Sequence, residues 1–278
     1  MRKILFLVAI ITMFLLPNGS ASGCTVFNCN LSNRVLAGNN EDGNYLTDVE
    51  VWSVARSAYG YGRICFGWKQ LLFFRQAQGG MNDKGLFFDW ASCPKSDPHR
   101  FSFKKRIAWF SLSEKLLAEC ATVDEAIAWL KQYNIMLIRS HIMLADRKGN
   151  SAVVEWVDGE IKILRGKNNC QVITNFWLSH PELGNYPCLR YNKVMEMLGN
   201  QREISVEYFQ SILELVSRYE QTKDGNESGT IYSNVYDLSS GDVYVYYKRD
   251  FENPIKINLE AELKKENHNY KLKSLFGK

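Results

Sequence analysis

Apolar and polar positions alternate with a period of two over most of the chain, and two stretches break that pattern with helical spacing. Strand-like runs are expected at 24–29, 34–37, 48–54, 71–76, 86–90, 141–145, 151–157, 161–164, 170–174, 229–238 and 242–248. Ser32-Asn33 and Asp158-Gly159 read as tight turns, and Gly79-Gly80-Met81-Asn82-Asp83-Lys84-Gly85 reads as a hairpin connection. Gly38-Asn39-Asn40-Glu41-Asp42-Gly43 reads as a polar loop, and Thr222 to Ser228 as a second, mobile one. Helices are expected from Ile107 to Cys120 and from a capping box at Thr122-Val123-Asp124-Glu125 to about Tyr133. A second helix pair is expected over Leu189 to Leu198 and Ser205 to Tyr219. Hairpins imply antiparallel sheets, and two separated helix pairs can cover two sheet faces. The expected fold is therefore α+β, a four-layer αββα sandwich of two antiparallel sheets. The charged stretch after about residue 254 is expected to pack loosely.

The N-terminus follows a different pattern. Arg2 and Lys3 precede an unbroken apolar run from Ile4 to Leu16, then Pro17 and a small polar stretch ending in Ala21-Ser22-Gly23. That order is the grammar of a secretory signal peptide, with Ala21 and Gly23 at the −3 and −1 positions. The run is too short to cross a bilayer as a permanent helix. Residues 1–23 are thus expected to be removed on export to a periplasmic or extracellular space. Residues 24–278 then form a single domain with Cys24 first, and no membrane span remains after processing.

Arg2 and Lys3 account for half of the formal charge of +4, and the other basic residues are scattered. This excludes a nucleic-acid footprint. The seven cysteines (24, 29, 65, 93, 120, 170 and 188) include no C-x-x-C, and their odd number leaves at least one thiol free if no intermolecular bond forms. None of the four histidines (99, 141, 180 and 268) is spaced like a metal ligand, so no metal is expected.

An N-terminal cysteine carries its own acid–base group. Its α-amine has a reference pKa of about 7.7–8.0, and amine and thiol share one residue, so little entropy is lost in aligning them. Three helpers are needed: a carboxylate to hold the amine, donors for the oxyanion, and a pocket for the acyl chain. Asp42 follows Cys24 by 18 residues, just past a two-strand hairpin that returns the chain near its start. Asn175 ends a strand and offers a side-chain N–H to an oxyanion. Asn40, Trp90 and Trp177 are candidate substrate-binding residues, and Trp52 and Trp68 are further candidates to line an apolar acyl site. The second oxyanion donor is expected among the backbone amides of Trp90 to Ser92.

These pieces also carry a resemblance. Gly23-Cys24-Thr25, Gly38-Asn39-Asn40-Glu41-Asp42, Gly80-Met81-Asn82-Asp83-Lys84-Gly85-Leu86, the run Asp146 to Trp156, Thr174-Asn175 and Tyr232-Ser233-Asn234-Val235-Tyr236-Asp237 follow in order along nearly the whole exported chain. Together they resemble the N-terminal-nucleophile linear amide C–N hydrolases: choloylglycine hydrolases, penicillin V acylases and acyl-CoA:6-aminopenicillanate acyltransferase-like enzymes. The resemblance implies the αββα N-terminal-nucleophile hydrolase fold, with Cys24 as nucleophile, Asp42 orienting it and Asn175 donating to the oxyanion. It also implies no cofactor, a small N-acyl amide as substrate, and leaves a homo-oligomer open. Asn39 and Gly229 stand where bile salt hydrolases usually carry arginines, which draws the reading toward the acyltransferase-like branch.

The expected activity is hydrolysis of a linear, non-peptide amide through a thioester. Two alternatives stand beside it. One is acyl transfer to an amine acceptor. The other is a non-enzymatic, lipid-anchored surface protein, because Ala21-Ser22-Gly23-Cys24 also resembles a bacterial lipobox.

Overall fold

The computed structural model describes residues 23–70, 74–97, 101–107, 112–135, 139–166, 168–199, 201–221 and 225–278. The expected export segment at 1–22, His99, the starts of the expected strand at 71 and helix at 107 (71–73 and 108–111), and residues 222–224 of the expected mobile loop lie outside them.

The chain opens with β1 (Thr25–Leu31), β2 (Arg34–Asn44), β3 (Glu50–Val54), β4 (Arg63–Gln70), β5 (Phe74–Asn82) and β6 (Leu86–Ser92), then a two-residue strand β7 (Arg106–Ile107). Helices α1 (Leu112–Glu119) and α2 (Val123–Leu130) follow, then β8 (Tyr133–Asn134), β9 (Ser140–Asp146), β10 (Ser151–Val157), β11 (Glu160–Arg165) and β12 (Cys170–Ile173). After a 3₁₀ turn come α3 (Leu189–Gly199), α4 (Val206–Leu215), β13 (Tyr219–Gln221), β14 (Glu227–Asp237), β15 (Asp242–Tyr247) and β16 (Asp250–Asn258). The chain closes with α5 (Leu259–Leu263), β17 (His268–Lys271) and α6 (Leu272–Leu275).

Two antiparallel sheets dominate. One runs β12-β1-β2-β14-β15-β16, with β13 beside β14, and the other runs β11-β10-β9-β6-β5-β4-β3-β17. Strand alternation gives each sheet two buried faces. Phe87, Met143, Ala145 and Val153 point into the layer between the sheets, with Val26, Val35 and Ala37 opposite. Their neighbours Phe88, Leu144 and Val154 point outward beneath Leu116, Leu117, Ala126 and Leu130 of α1 and α2. Phe27, Leu36 and Val235 point outward from the other sheet beneath Phe209, Ile212 and Leu213 of α4 and Val194 and Leu198 of α3. The result is the four-layer αββα sandwich.

Local chemistry accounts for the boundaries. Ser32 and Asn33 both take positive φ, as a two-residue hairpin turn requires, and Asp158 and Gly159 do the same. Thr122 caps α2 by accepting from the Glu125 amide at 3.3 Å, and Ser205 caps α4 by accepting from Tyr208 at 3.0 Å.

Three expectations change. Gly38 to Gly43 is not a loop: it lies within β2, where Gly38 to Asn40 pair with both β1 and β14 and Glu41 to Gly43 pair with β14. Its Gly/Asn/Asp composition imitates turn chemistry, but ladder pairing satisfies its backbone and keeps it extended. Gly79 and Gly80 are likewise strand, not turn. A Cβ on Gly79 would overlap the Asp89 carboxylate, and one on Gly80 the Ile64 carbonyl, so glycine serves close approach here. Beyond residue 254, where loose packing was expected, β17 extends the eight-stranded sheet by pairing with β3, and Leu272 is fully buried. Its many charges sit on the solvent faces of packed elements.

Cys29 and Cys170 face each other across β1 and β12 and form a disulfide spanning 141 residues of sequence. A crosslink over so long a loop restricts the unfolded chain strongly. The Cys29→Ser/Cys170→Ser protein is expected to lose about 2–5 kcal/mol in urea denaturation. A double variant as stable as the parent would show that the crosslink contributes nothing.

Candidate active site

Cys24 directly precedes β1, and the hairpin register fixes what it meets. A two-residue turn at 32–33 pairs Thr25 with Asn40, which sets Cys24 opposite Glu41. Odd positions of β2 face the inter-sheet layer and even positions face α3 and α4. Cys24 therefore points inward, and its Sγ donates to Glu41 Oε1 at 3.6 Å. Burial pushes the thiol well above its usual range, the Glu41 and Asp42 charges push it further, and the Asp42 backbone amide opposes them.

Asp42 falls on the other face of β2. Its Oδ1 accepts from Thr230 Oγ1 at 2.7 Å. Its Oδ2 is buried with no hydrogen-bond partner among the described residues. That oxygen lies 3.0 Å from where a Cβ on Gly23 would sit, so it abuts the residue bonded to the Cys24 nitrogen. Burial raises Asp42 to about 6 even though Thr230, Arg190 and Arg218 all favour its charged form.

Arg190, from α3, joins these groups. Its Nη1 donates to the Gly23 carbonyl, to the Cys24 carbonyl at 2.7 Å and to Thr25 Oγ1 at 2.6 Å. Its Nη2 donates to Asn175 Oδ1 at 2.8 Å. Asn175 Nδ2 in turn donates to the Ser92 carbonyl at 2.9 Å and Ser92 Oγ at 3.0 Å. A cleft of about 790 Å³ opens onto this cluster, lined by Gly23, Asn175, Arg190, Lys193, Arg218 and neighbouring residues.

The segment bearing Asn175 is held from beneath. His141 Nε2 donates to the Thr174 carbonyl at 2.8 Å and its Nδ1 contacts Glu155 Oε1 at 2.9 Å. Glu155 also accepts from the Leu178 amide at 2.8 Å and from the Ser179 amide at 3.0 Å and hydroxyl at 2.5 Å. Burial alone would raise the Glu155 carboxyl, but the bonds from His141 and Ser179 hold it below its ordinary range.

Cys24, Asp42 and Asn175 are thus brought to one place, the first two by the hairpin and the third by the β1–β12 register, with Arg190 holding its amide. The other candidates serve packing. Asn40 donates to the Leu213 carbonyl at 2.8 Å and accepts from Ser233 at 2.6 Å, tying β2 to α4 and β14. Trp90 lies beneath α1, its Nε1 donating to Ser113 at 2.8 Å, on the face of its sheet opposite the layer that holds Cys24. Trp177 is fully buried, donates to the Pro94 carbonyl at 2.9 Å and packs with Cys93 and Val157. Trp52 is buried in the layer beneath α1 and α2. Glu41, Arg190, Arg218 and Thr230 escaped sequence reasoning. Glu41 had a legible signal, since a two-residue turn at 32–33 places it, rather than Asp42, opposite Cys24. Among the described residues no group of three His, Cys, Asp or Glu side chains converges as a metal site.

Comparison with known proteins gives the family and the fold. The profile of the linear amide C–N hydrolases, choloylglycine hydrolase family, matches residues 72–212, half of the chain. The protein belongs to that family. The matched stretch contains Asn175 and Arg190 but not Cys24 or Asp42. Penicillin V acylase from Pectobacterium atrosepticum is 30% identical over 112 residues, which span 34% of this chain and 29% of that relative. Two solved structures share the fold. A conjugated bile acid hydrolase from Clostridium perfringens superposes with TM-score 0.68 at 18% identity, covering 89% of this chain and 96% of its own. Penicillin V acylase from Agrobacterium tumefaciens superposes with TM-score 0.65 at 21% identity, covering 84% of each.

Two outcomes are expected. Glu155→Gln removes the charge that His141 faces and two acceptor arrangements beneath Asn175, so urea denaturation should show a loss of about 3–5 kcal/mol. A loss below about 1 kcal/mol would mean that this buried pair is not a support. Glu41 is pushed up from its ordinary 4.5 to about 8, first by burial and then by Asp42. The folded chain therefore keeps a proton that the unfolded chain releases near 4.5. Stability is full below 4.5 and is lost as pH rises toward about 8. The melting temperature should fall across that window, and Glu41→Gln should flatten the fall; an equal slope in both proteins would contradict it.

Proposed function

We propose that this protein hydrolyses a linear, non-peptide amide through a thioester on Cys24, made N-terminal by removal of residues 1–23 during export. The observation that carries this is the placement of Asp42. Its Oδ2 is buried, lacks a partner among the described residues, and abuts Gly23. Once Gly23 is removed, the nitrogen of Cys24 becomes an ammonium beside that oxygen. A buried carboxylate with one open lone pair and a new cation at its edge satisfy each other.

The Cys24 sulfur attacks the amide carbonyl. In its unprotonated form the Cys24 α-amine takes the thiol proton as sulfur attacks and gives it to the departing nitrogen; it then takes a proton from the water that adds to the thioester and returns it to the sulfur as the C–S bond breaks. Asn175, positioned by Arg190, donates to the oxyanion when substrate draws its Nδ2 from Ser92. The charged residues on the cleft wall, Arg190, Lys193 and Arg218, are all basic, which favours a substrate bearing an anionic group. The Cys29–Cys170 disulfide supports an oxidising compartment and hence export. The Asp42 geometry also favours a free amine over a lipidated one, since an N-acyl group would leave Oδ2 unpaired.

Three proteins test this on a panel of N-acyl amides: one beginning at Cys24, one retaining Gly23, and Cys24→Ala. The first should turn over, with intact mass showing an unmodified Cys24 terminus. The others should lose at least about 10³-fold in kcat/KM. Full activity with Gly23 retained would sink the proposal.

A further inference from the structure

Register places Cys24, Glu41 and Tyr232 side by side on one rung of the inner sheet face, with Val26, Asn39 and Asn234 on the next. Asp89 reaches the same layer from β6 in the facing sheet, since its neighbours Phe87 and Ala91 belong to the central core. Glu41 is buried in that layer beside acidic neighbours, with no cation lowering its charge cost. Its Oε1 touches the Cys24 sulfur at 3.6 Å, and its Oε2 is buried without a partner among the described residues. Among those residues, the sulfur of the nucleophile is the one group that this carboxyl engages.

A buried carboxylate with no cation and no strong donor is unfavourable, so the group keeps a proton. A neutral carboxyl is a donor as well as an acceptor. Its hydrogen finds no acceptor at Oε2, whereas at Oε1 it meets the sulfur. Charge on Glu41 or Asp42 opposes ionisation of the thiol. A proton on Glu41 turns one of those two repulsions into an attraction. We propose that the Glu41 carboxyl is a catalytic hydrogen-bond donor to the Cys24 sulfur, meeting the negative charge that grows there when the α-amine takes the thiol proton and again when the C–S bond breaks. This role rests on the reading of Cys24 as the nucleophile.

Glu41 keeps its own proton throughout, and the α-amine moves the others. In acylation the S–H bond breaks and its proton passes to the amine. The sulfur pair forms the C–S bond and the carbonyl π pair moves to oxygen. That pair returns as the C–N bond breaks, and the departing nitrogen takes the proton from the ammonium. In deacylation water adds to the thioester carbon and gives its proton to the amine. The C–S bond then breaks, and the ammonium returns the proton to sulfur. An O–H bond to an anionic sulfur is charge-assisted, so the Glu41 contact is strongest at the two moments when charge sits on sulfur and weak in the resting thiol.

The groups facing Glu41 are Cys24 from β1's leading end, Asp42 on its own strand, Asp89 from β6, and Tyr232 and Tyr236 from β14. Burial raises Asp89, Tyr232 and Tyr236 well above their ordinary ranges. Glu41 itself is raised to about 8, first by burial and then by Asp42. Below that pH it carries the donor. Above it, the same group becomes a charge that opposes the thiolate. The α-amine titrates nearby, at about 7.7–8.0 in its reference form, but it is common to the wild type and every Glu41 variant, so the ratio of their rates isolates Glu41.

The test is alkylation of Cys24 by iodoacetamide as a function of pH, read by mass spectrometry of the N-terminal peptide, in the processed protein, Glu41→Gln and Glu41→Leu. Gln keeps a neutral donor, and Leu fills a similar space without one. At about pH 7, Glu41→Gln should react within about threefold of the wild type and Glu41→Leu at least about tenfold more slowly, each with a cooperative thermal transition. Above about pH 8 the wild-type rise should flatten while that of Glu41→Gln continues, so that the variant becomes the faster protein. If Glu41 were a carboxylate at neutral pH, both variants would alkylate faster than the wild type there, and that result overturns the proposal. Glu41→Leu equal to the wild type overturns it too, as does Glu41→Gln as slow as Glu41→Leu, because an amide donor then fails to replace the carboxyl. If neither variant folds, the wild type decides: a break near pH 8 is expected, and a rise unbroken from about pH 6 to 9.5 overturns the donor. Alkylation needs no amide substrate, so its outcome is separate from the turnover of N-acyl amides. A protein with these profiles that cleaves no amide keeps the donor and sinks the hydrolase reading; one that cleaves amides without them does the reverse.

Discussion

The register of the β1–β2 hairpin is the constraint on which the site depends. A two-residue turn at Ser32-Asn33 leaves no slack, so each residue of β1 has one partner on β2. Because side chains alternate, Glu41 enters the inter-sheet layer with the Cys24 sulfur, and Asp42 faces the helices beside the Cys24 nitrogen. A slip of one residue would exchange the two carboxylates and send each to the wrong atom. Pairing with β14 on the far edge of β2 holds that register in the middle of a sheet, where neither strand can shift.

This arrangement places three carboxyls, Glu41, Asp42 and Asp89, in low-dielectric surroundings that raise all three. Such a cluster opposes folding, and the surrounding structure offsets it. Apolar layers fill both outer interfaces, a disulfide joins β1 to β12, and Glu155 is fully satisfied by four hydrogen bonds. The contrast between Glu155 and Asp89 is instructive. Both are buried acids, but Glu155 is held below its ordinary range by the bonds it accepts, whereas burial pushes Asp89, next to Glu41, well above its own.

Arg190 shows how the two halves of the site are joined. It comes from a helix in the outer layer, yet it holds the start of β1 and the amide of Asn175 in one planar fork. Strand pairing brings Asn175 to the Cys24 end of the sheet, since the β1–β12 register of Val26 with Ile173 continues to Cys24 opposite Asn175, and Arg190 fixes the orientation of its amide.

The sequence by itself determined whatever depends on local spacing. The two helix pairs follow from caps at Thr122 and Ser205, the antiparallel sheets follow from two-residue turns, and the nearness of Asp42 to Cys24 follows from one short hairpin. Family motifs added the fold and the place of Asn175. Composition misled where burial overruled it: 38–43 carries turn residues but is a central strand, because ladder pairing satisfies its backbone. The tertiary structure alone decided that Trp90 and Trp177 pack rather than line the cleft, and that Arg190, Arg218 and Thr230 meet at Asp42. The contacts at Asp42 join residues more than a hundred positions apart, and no local periodicity encodes the crossing of two sheets and the helices that cover them.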